Sequence, residues 1–211
     1  MSAARAGRRL LCAVAALGLM LSGLAVQAAA EATLPPPYPD FRAEYEAYLN
    51  GFHIADAVFT LTRNERGEYL YRSESKTRGL ARLFGTRDAT ESSRWRYTPD
   101  GIRVLEYRSL KPGGDADDNE HLVFDWKHHR VKNVSPLDPW SMELPAGTLD
   151  KMVMQLAMLF DLRNGKKVFE YRVPRQGRIK TYHWALVGED VTELDDLGSF
   201  RTLKLMRTDD R

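Results

Sequence analysis

The sequence predicts an all-β (mainly β) protein: an antiparallel meander forming an open or flattened barrel-like sheet of about ten strands with one core helix. Two observations support this prediction. Short stretches that alternate apolar and polar residues recur at a spacing of roughly 8–12 residues, with turn signals between them, as in sandwiches and barrels. After the N-terminal leader, only residues 147–165 show a long apolar pattern with helical spacing.

The first three strands are predicted by alternation and by the turns between them. Residues 41–49 place apolar side chains on one side and charged side chains on the other. Asn50-Gly51 is a strong hairpin signal, and further strands are predicted over 54–62 and 69–77. Consecutive strands joined by such short turns pair antiparallel. Residues 79–85 then break the alternation and are predicted to be a short helical turn or a flap over the sheet.

The remaining strands follow the same logic. The turn Thr98-Pro99-Asp100-Gly101 has a proline that presets one dihedral angle and a glycine that accepts a positive one, and 111–118 is expected to be a solvated loop. Residues between 135 and 146 contain three prolines and are expected to be irregular. The predicted strands are 86–97, 102–110, 120–126, 131–134, 168–173, 179–187, 191–194 and 200–206.

The helix over 147–165 is predicted to begin at Thr148, whose hydroxyl suits an N-cap, and to end at Asn164-Gly165, where glycine takes the left-handed conformation. Its apolar residues recur on one face that is widened by further methionine and leucine side chains. A helix this apolar must be covered on more than one side. We therefore expect it to fill the core, with an adaptable methionine-lined pocket as the alternative.

Residues 1–30 are predicted to be a cleavable signal peptide, because a basic start with three arginines precedes an apolar run and small residues that suit the peptidase. The alternative is an uncleaved membrane anchor, for which an apolar run of about 17 residues is at the lower limit. Residues 31–40 form a proline-rich spacer, and 41–211 a single β-barrel-like domain. The protein is therefore expected to be periplasmic.

Removal of the leader changes the composition of the chain. Residues 1–30 contain three arginines and no acid, so the formal net charge falls from +2 to −1. A general attraction to nucleic acid is not expected at this charge. The single cysteine, Cys12, lies in the leader, which excludes cysteine nucleophiles, disulfides and thiolate metal sites from the mature chain.

Four segments of the chain resemble the bacterial family known as domain of unknown function 3108. They are YLNGFHIADAVFTL, YTPDGIRVLEY, GTLDKMVMQLAMLF and VTELDDLGSFRTLKLMR, and the resemblance extends over nearly all of the mature chain. It implies an exported, mostly β protein with a barrel-like sheet and no agreed activity. Two departures stand out: Asp56 occupies a position where the family usually has glycine, and the family usually continues with two further strands. The resemblance therefore implies that this chain is truncated at its C-terminus.

Several clusters of polar residues partly match known types of site. Asp115, Asp117 and Asn119 have the alternate spacing of the first calcium ligands, but Glu120 and Trp126 occupy positions where a calcium loop needs glycine and a bidentate glutamate. No His-Glu-x-x-His helix occurs, so a histidine metal site assembled across strands is the alternative left open. No nucleophile elbow or phosphate loop is present. No catalytic residue, cofactor or metal ligand is assigned.

Residues 72–108 are rich in arginine and aromatic residues. After export, an anionic lipid or glycan headgroup is the partner that such arginines suit, since guanidinium pairs phosphate through two hydrogen bonds. The favoured interpretation, however, is a solvent face of the sheet on which acids balance the arginines. The arginines are Arg72, Arg78, Arg82, Arg87, Arg94, Arg96, Arg103 and Arg108, and the acids are Glu74, Asp88, Glu91 and Glu106.

The methionines of the helix, the aromatic strands and the export signal together favour a non-catalytic binding module for an apolar or lipid-like envelope molecule. Pockets of this kind lie between a barrel wall and its core helix. The alternatives are an envelope scaffold that acts through protein contacts and, third, a hydrolase. The expected partners are an apolar or anionic envelope lipid or an envelope protein, and no nucleic acid. The candidate ligand-binding residues are Met152, Leu156, Met158, Phe160, Trp95 and Tyr97.

Overall fold

A computed structural model describes residues 38–79, 82, 87–115, 119–194 and 197–209. The predicted signal peptide, the first part of the predicted spacer and most of the predicted turn or flap at 79–85 lie outside these residues. Over the described residues, no helix is both long enough and apolar enough to cross a lipid bilayer.

The prediction of a mainly β fold with one core helix is confirmed. The described residues form eleven strands in two antiparallel sheets and one α-helix, and neither sheet closes on itself. The strands are thus divided between two sheets rather than joined in one. The elements are β1 (Phe41–Leu49), β2 (Phe52–Arg63), β3 (Glu68–Thr77), β4 (Ala89–Thr98), β5 (Gly101–Leu110), β6 (His121–Asp125), β7 (Arg130–Asn133), β8 (Trp140–Glu143), α1 (Val153–Arg163), β9 (Val168–Arg175), β10 (Arg178–Leu194) and β11 (Gly198–Arg207).

The first sheet is a meander in which β1 to β8 lie in sequence order. Asn50 and Gly51 both have positive φ, 50° and 80°, as a two-residue turn between twisted strands requires. The pairing places Phe41 opposite Leu61 and Leu61 opposite Tyr71. One face of the sheet therefore carries a row of apolar side chains, and the residues between them face outward.

The second sheet has the order β11-β10-β9. Residues 179–187 and 191–194 were predicted to be separate strands but belong to the single strand β10. A bulge between Leu186 and Gly188 inserts one residue opposite β11. It shifts the alternation midway through the strand, so the sequence pattern resembles two strands. The short strand β8 was not predicted, because the prolines around it mask its pattern.

The helix begins later than predicted, and Thr148 is not its cap. Thr148 donates its hydroxyl hydrogen to the carbonyl of Pro145 at 2.7 Å and forms a parallel bridge with Arg172. Asp150 instead caps the turn that leads into the helix, because its Oδ1 accepts from the backbone N–H groups of Met152 and Val153. The predicted end is confirmed: Gly165 has φ of 81° and donates to Leu162.

The core joins the helix to side chains of both sheets, so the helix is covered on more than one side as predicted. Trp95 and Val153 have no exposed surface, and Leu156 and Phe169 have at most 2%. Fully burying one such side chain stabilises the fold by roughly 1.5–3 kcal/mol. Besides the helix, the core cluster contains Leu61, Tyr69, Tyr71, Trp95, Val104, Tyr107, Leu122, Phe124, Val131, Leu144, Leu149, Met152, Phe169 and Tyr171.

Candidate functional site

The candidate ligand-binding residues from the sequence lie in and beside the core. Leu156 and Met158 are buried on α1, Met152 is buried directly before it, and Trp95 is buried on β4. The rings of Tyr97 and Phe160 meet edge to face with centroids 6.0 Å apart. The structure therefore brings helix and strand residues together, but none of the six lines either cavity described below. A ligand between the helix and the sheet stays a prediction.

An open cavity of about 1280 Å³ lies on strands β1 to β3, and we call it the β1–β3 trough. It was not found from the sequence, because its residues are distant along the chain. Leu194 and Leu197 from the end of the β10–β11 hairpin also line it. The other lining residues are Arg42, Glu44, Tyr45, Glu46, Tyr48, Gly51, Asp56, Ala57, Val58, Thr60, Arg72, Glu74, Lys76 and Arg78.

The strand register arranges the polar lining of the β1–β3 trough in rows. Glu44 of β1 pairs with Val58 of β2, which pairs with Glu74 of β3. The next row places Asp56 between Glu46 and Lys76. Successive side chains of a strand point to opposite faces, so these even-numbered residues share the face opposite to the core.

Ion pairs join most of the charged residues in the trough. Arg42 pairs with Glu44 at 2.7 Å, Arg72 with Glu74 at 2.8 Å, and Arg78 with Asp56 at 2.5 Å. Such exposed pairs contribute only about 0–1 kcal/mol each to stability, so a ligand can replace them at small cost. Lys76 has no ion-pair partner among the described residues.

Acids balance the arginines of the 72–108 segment in the described residues, as the solvent-face interpretation predicted. Glu106 accepts hydrogen bonds from Arg94, Arg108 and His121. Burial raises the pKa of Glu106, but these three hydrogen bonds outweigh it, and the pKa falls to about 2. These arginines are therefore engaged within the sheet, whereas Arg72 and Arg78 face the trough.

A mixed cluster of metal-binding residue types lies at the tip of the β1–β2 hairpin. One ligand atom of each of Glu46, His53 and Asp56 lies within 4.8 Å of the others. Glu46 and Asp56 also line the β1–β3 trough. The sequence left open a histidine metal site across strands without naming its residues. The Asn50-Gly51 turn was the signal that could have found it, because it fixes Glu46 opposite Asp56.

A second polar cluster surrounds the start of α1. Besides capping the turn that leads into the helix, Asp150 accepts a hydrogen bond from the hydroxyl of Ser93 through Oδ2. Burial raises the pKa of Asp150 to about 6, although its hydrogen bonds from Ser93, Val153 and Met152 act in the opposite direction. The carboxyl group therefore takes up a proton in the folded protein at a higher pH than a solvated aspartate does.

A smaller cavity of about 180 Å³ adjoins this cluster and is lined in part by Tyr107, Glu120, Asp150 and Lys151. At its edge, Glu91 accepts from the hydroxyl of Tyr107 and from Lys151, both at 2.7 Å. Burial raises the pKa of Tyr107. The volume suits a few water molecules, each of which occupies about 30 Å³ in the liquid. Because the oxygens of Asp150 are engaged by α1 and Ser93, the geometry assigns this group to stabilising the helix.

The predicted solvated loop is partly described. The side-chain oxygen of Asn119 accepts from the backbone of Lys111 at 2.9 Å, and its amide donates to the carbonyl of Asp115 at 3.2 Å. Asn119 therefore closes the loop on itself. Asp117, the middle residue of the calcium-like spacing, lies outside the described residues.

The fold and these sites define a mainly β protein in which two antiparallel sheets share their core with one helix. Residues 44–211 match the family described as Protein of unknown function (DUF3108), and the chain belongs to this family. The resemblance predicted from the sequence is thus confirmed. Neither a curated protein nor a solved structure matches the chain significantly.

Proposed function

We propose that the protein is an exported, non-catalytic binding module of the cell envelope, and that its ligand is an amphiphile with an apolar part and an anionic headgroup. The observation that carries this proposal is the β1–β3 trough, in which apolar residues of the β10–β11 hairpin adjoin cationic residues of β3. The trough differs from the helix–sheet interior expected from the sequence, while the class of ligand is the same.

The size and the apolar lining of the trough support this ligand class. Its volume of about 1280 Å³ exceeds the roughly 300–1,000 Å³ typical of small-molecule pockets. Tyr45 is 58% exposed, Leu194 is 45% exposed and Leu197 is 72% exposed. Covering such surface stabilises a complex by about 25 cal/mol per Å² of apolar area removed from water. An acyl chain supplies this cover.

The charges of the trough support an anionic headgroup. Among the cations that line the trough, Lys76 is the one with no ion-pair partner in the described residues, and Arg72 and Arg78 line the same cavity. A phosphate accepts two parallel hydrogen bonds from guanidinium. The arginines must leave weak, exposed pairs to bind it, whereas Lys76 offers its charge without this competition.

The substitution Leu197→Asp is expected to weaken binding to vesicles of phosphatidylglycerol and phosphatidylcholine by at least tenfold, or about 1.4 kcal/mol. The new carboxylate would remain in water rather than contact an acyl chain, and it would repel the headgroup. Lys76→Glu is expected to weaken binding in the same direction and to reduce its salt dependence. Both effects are measured by vesicle co-sedimentation of the purified protein.

Matched controls exist on surfaces outside the trough. Val168 is 70% exposed on β9, close to the 72% of Leu197, so Val168→Asp introduces the same charge at the same exposure. Lys132→Glu on β7 is the control for Lys76→Glu. Equal losses in test and control variants, or the absence of vesicle binding by the unmodified protein, would contradict the proposal. A ligand held between helix and sheet would instead keep its affinity in Leu197→Asp.

Export to the periplasm is part of the proposal and rests on the sequence of residues 1–30. The expected result is a mature protein that is recovered from the periplasmic fraction and begins at residue 29 or 31, after Val26-Gln27-Ala28 or Ala28-Ala29-Ala30. Intact-mass measurement and N-terminal sequencing of the expressed full chain check this. A full-length protein in the membrane fraction would favour the uncleaved anchor.

A second candidate is an envelope scaffold, and the β10–β11 hairpin favours it. Val191 and Leu203 are 59% and 50% exposed, and Leu194 and Phe200 are 45% and 44% exposed. By the register, the two pairs lie on opposite faces of the hairpin, so both faces present apolar surface. Site-specific crosslinking from position 203 in cells is expected to capture one protein partner, and recovery of none would exclude this candidate.

A further inference from the structure

We propose that Glu46, His53 and Asp56 form a binding site for a divalent transition-metal ion such as Zn²⁺. The site is independent of the amphiphile proposed above, because it requires only residues of the β1–β2 hairpin. One nitrogen and two carboxylate oxygens form a donor set that suits zinc and neighbouring divalent ions. With three protein ligands, coordination positions remain for water or for an anionic group.

The backbone of the hairpin brings these three residues together. Glu46 and Asp56 are direct cross-strand partners on the face opposite to the core. His53 is an odd number of residues from Asp56, so regular alternation would place it on the core face. A bulge next to Ala47 and Tyr48 inserts one residue into β2 and pairs His53 with Tyr48. The bulge therefore places His53 on the face of Glu46 and Asp56.

The side chains are held close to a metal-binding arrangement. His53 Nε2 lies 2.6 Å from Asp56 Oδ1, and the imidazole stacks on the ring of Tyr48 with centroids 5.2 Å apart. The three ligand atoms lie within 4.8 Å of one another. Zinc ligands at about 2.0–2.2 Å from the ion are separated by roughly 3.3 Å. Side-chain rotation at this solvent-accessible position covers the difference.

The neighbours of the cluster act as outer-shell partners. Asp56 Oδ2 accepts from Arg78 Nε at 2.5 Å. The other oxygen, Oδ1, contacts His53 Nε2, and a bound ion would take the place of this contact by lying between the two atoms. Glu46 Oε2 accepts from the hydroxyl of Tyr48 at 2.6 Å.

Calorimetric titration of the untagged, chelator-treated protein with ZnCl₂ tests the site. One Zn²⁺ is expected to bind per hairpin, and His53→Ala and Asp56→Asn are each expected to weaken binding at least tenfold, since loss even of an outer-shell partner costs about 10–100-fold. Replacement by Co²⁺ is expected to give a visible absorption band that is lost in both variants. Circular dichroism confirms that each variant is folded.

His128→Ala is the matched control. His128 Nδ1 lies 2.7 Å from Asp125 Oδ2 in an exposed pair of the same spacing, but no third ligand joins this pair in the described residues. This variant is expected to bind zinc as the unmodified protein does. Equal affinity in His53→Ala and His128→Ala, or no uptake of zinc by the unmodified protein, would overturn the proposal.

Discussion

Replacing Trp95 with alanine is expected to lower the free energy of unfolding by about 3–5 kcal/mol, as is typical for removing a large buried aromatic side chain. Trp95 has no exposed surface, and its ring stacks on that of Tyr69 at a centroid distance of 4.2 Å. The two residues are also cross-strand partners in the ladder of β3 and β4. Urea denaturation followed by circular dichroism measures the loss.

Two further variants show whether the cavity is the cause. Phe52→Ala removes an aromatic ring that is 66% exposed and should change stability by less than about 0.5 kcal/mol. Trp95→Phe should cost clearly less than Trp95→Ala, because it leaves a smaller cavity and removes a buried N–H that has no hydrogen-bond partner in the described residues. A loss below about 1 kcal/mol in Trp95→Ala would mean that this part of the core is loosely packed.

The second large effect concerns Asp150 and pH. Burial raises its pKa from 3.8 to about 6 in the folded protein. The unfolded chain therefore loses this proton first as the pH rises. The stabilisation from protonated Asp150 is complete below about pH 4 and is lost as the pH rises through 6. At 1.36 kcal/mol for each pKa unit, the group lowers the free energy of unfolding by about 3 kcal/mol over this range.

The variant Asp150→Asn isolates this effect, because its amide keeps the cap and the contact with Ser93 without titrating. The difference in unfolding free energy between the unmodified protein and Asp150→Asn is expected to fall by about 2 kcal/mol between pH 4 and pH 7, most of the total change. Denaturant titrations at several pH values measure it. Asp150→Ala also loses the cap and should be less stable than Asp150→Asn by about 1–2 kcal/mol.

Asp100 is the control, since its side chain is 77% exposed. Asp100→Asn makes the same chemical change at a position outside the core. If the difference between the unmodified protein and Asp150→Asn were constant from pH 4 to pH 7, Asp150 would not titrate in this range. The assignment of a buried, proton-binding carboxyl group at the start of α1 would then be wrong.

The features predicted correctly from the sequence depend on local chemistry. Asn50-Gly51 specifies a turn with positive φ, so β1 was placed with its observed bounds. The apolar run of α1 specifies burial, and Gly165 specifies the end of the helix. These signals are confined to a few neighbouring residues, and the tertiary structure agrees with each of them.

The features that were missed depend on contacts distant in the sequence or on changes in alternation. Thr148 and Asp150 are both suitable caps, and only the bridge of Thr148 to β9 and the hydroxyl of Ser93 decide between them. The bulge in β2 moves His53 to the other face, and the bulge in β10 hides the continuity of that strand. The β1–β3 trough combines residues from both sheets, so no local pattern indicates it.

The strand order within each sheet has a consequence for how quickly the protein reaches its folded state. In the described residues, every extended ladder pairs strands that follow one another along the chain. Each hairpin can form with a small loss of loop entropy, and such local pairings favour rapid folding. The isolated bridge of Thr148 and Arg172 links the approach to α1 with β9. We therefore expect the rate-limiting step to be the joining of the two preformed sheets around the helix, rather than the formation of either sheet.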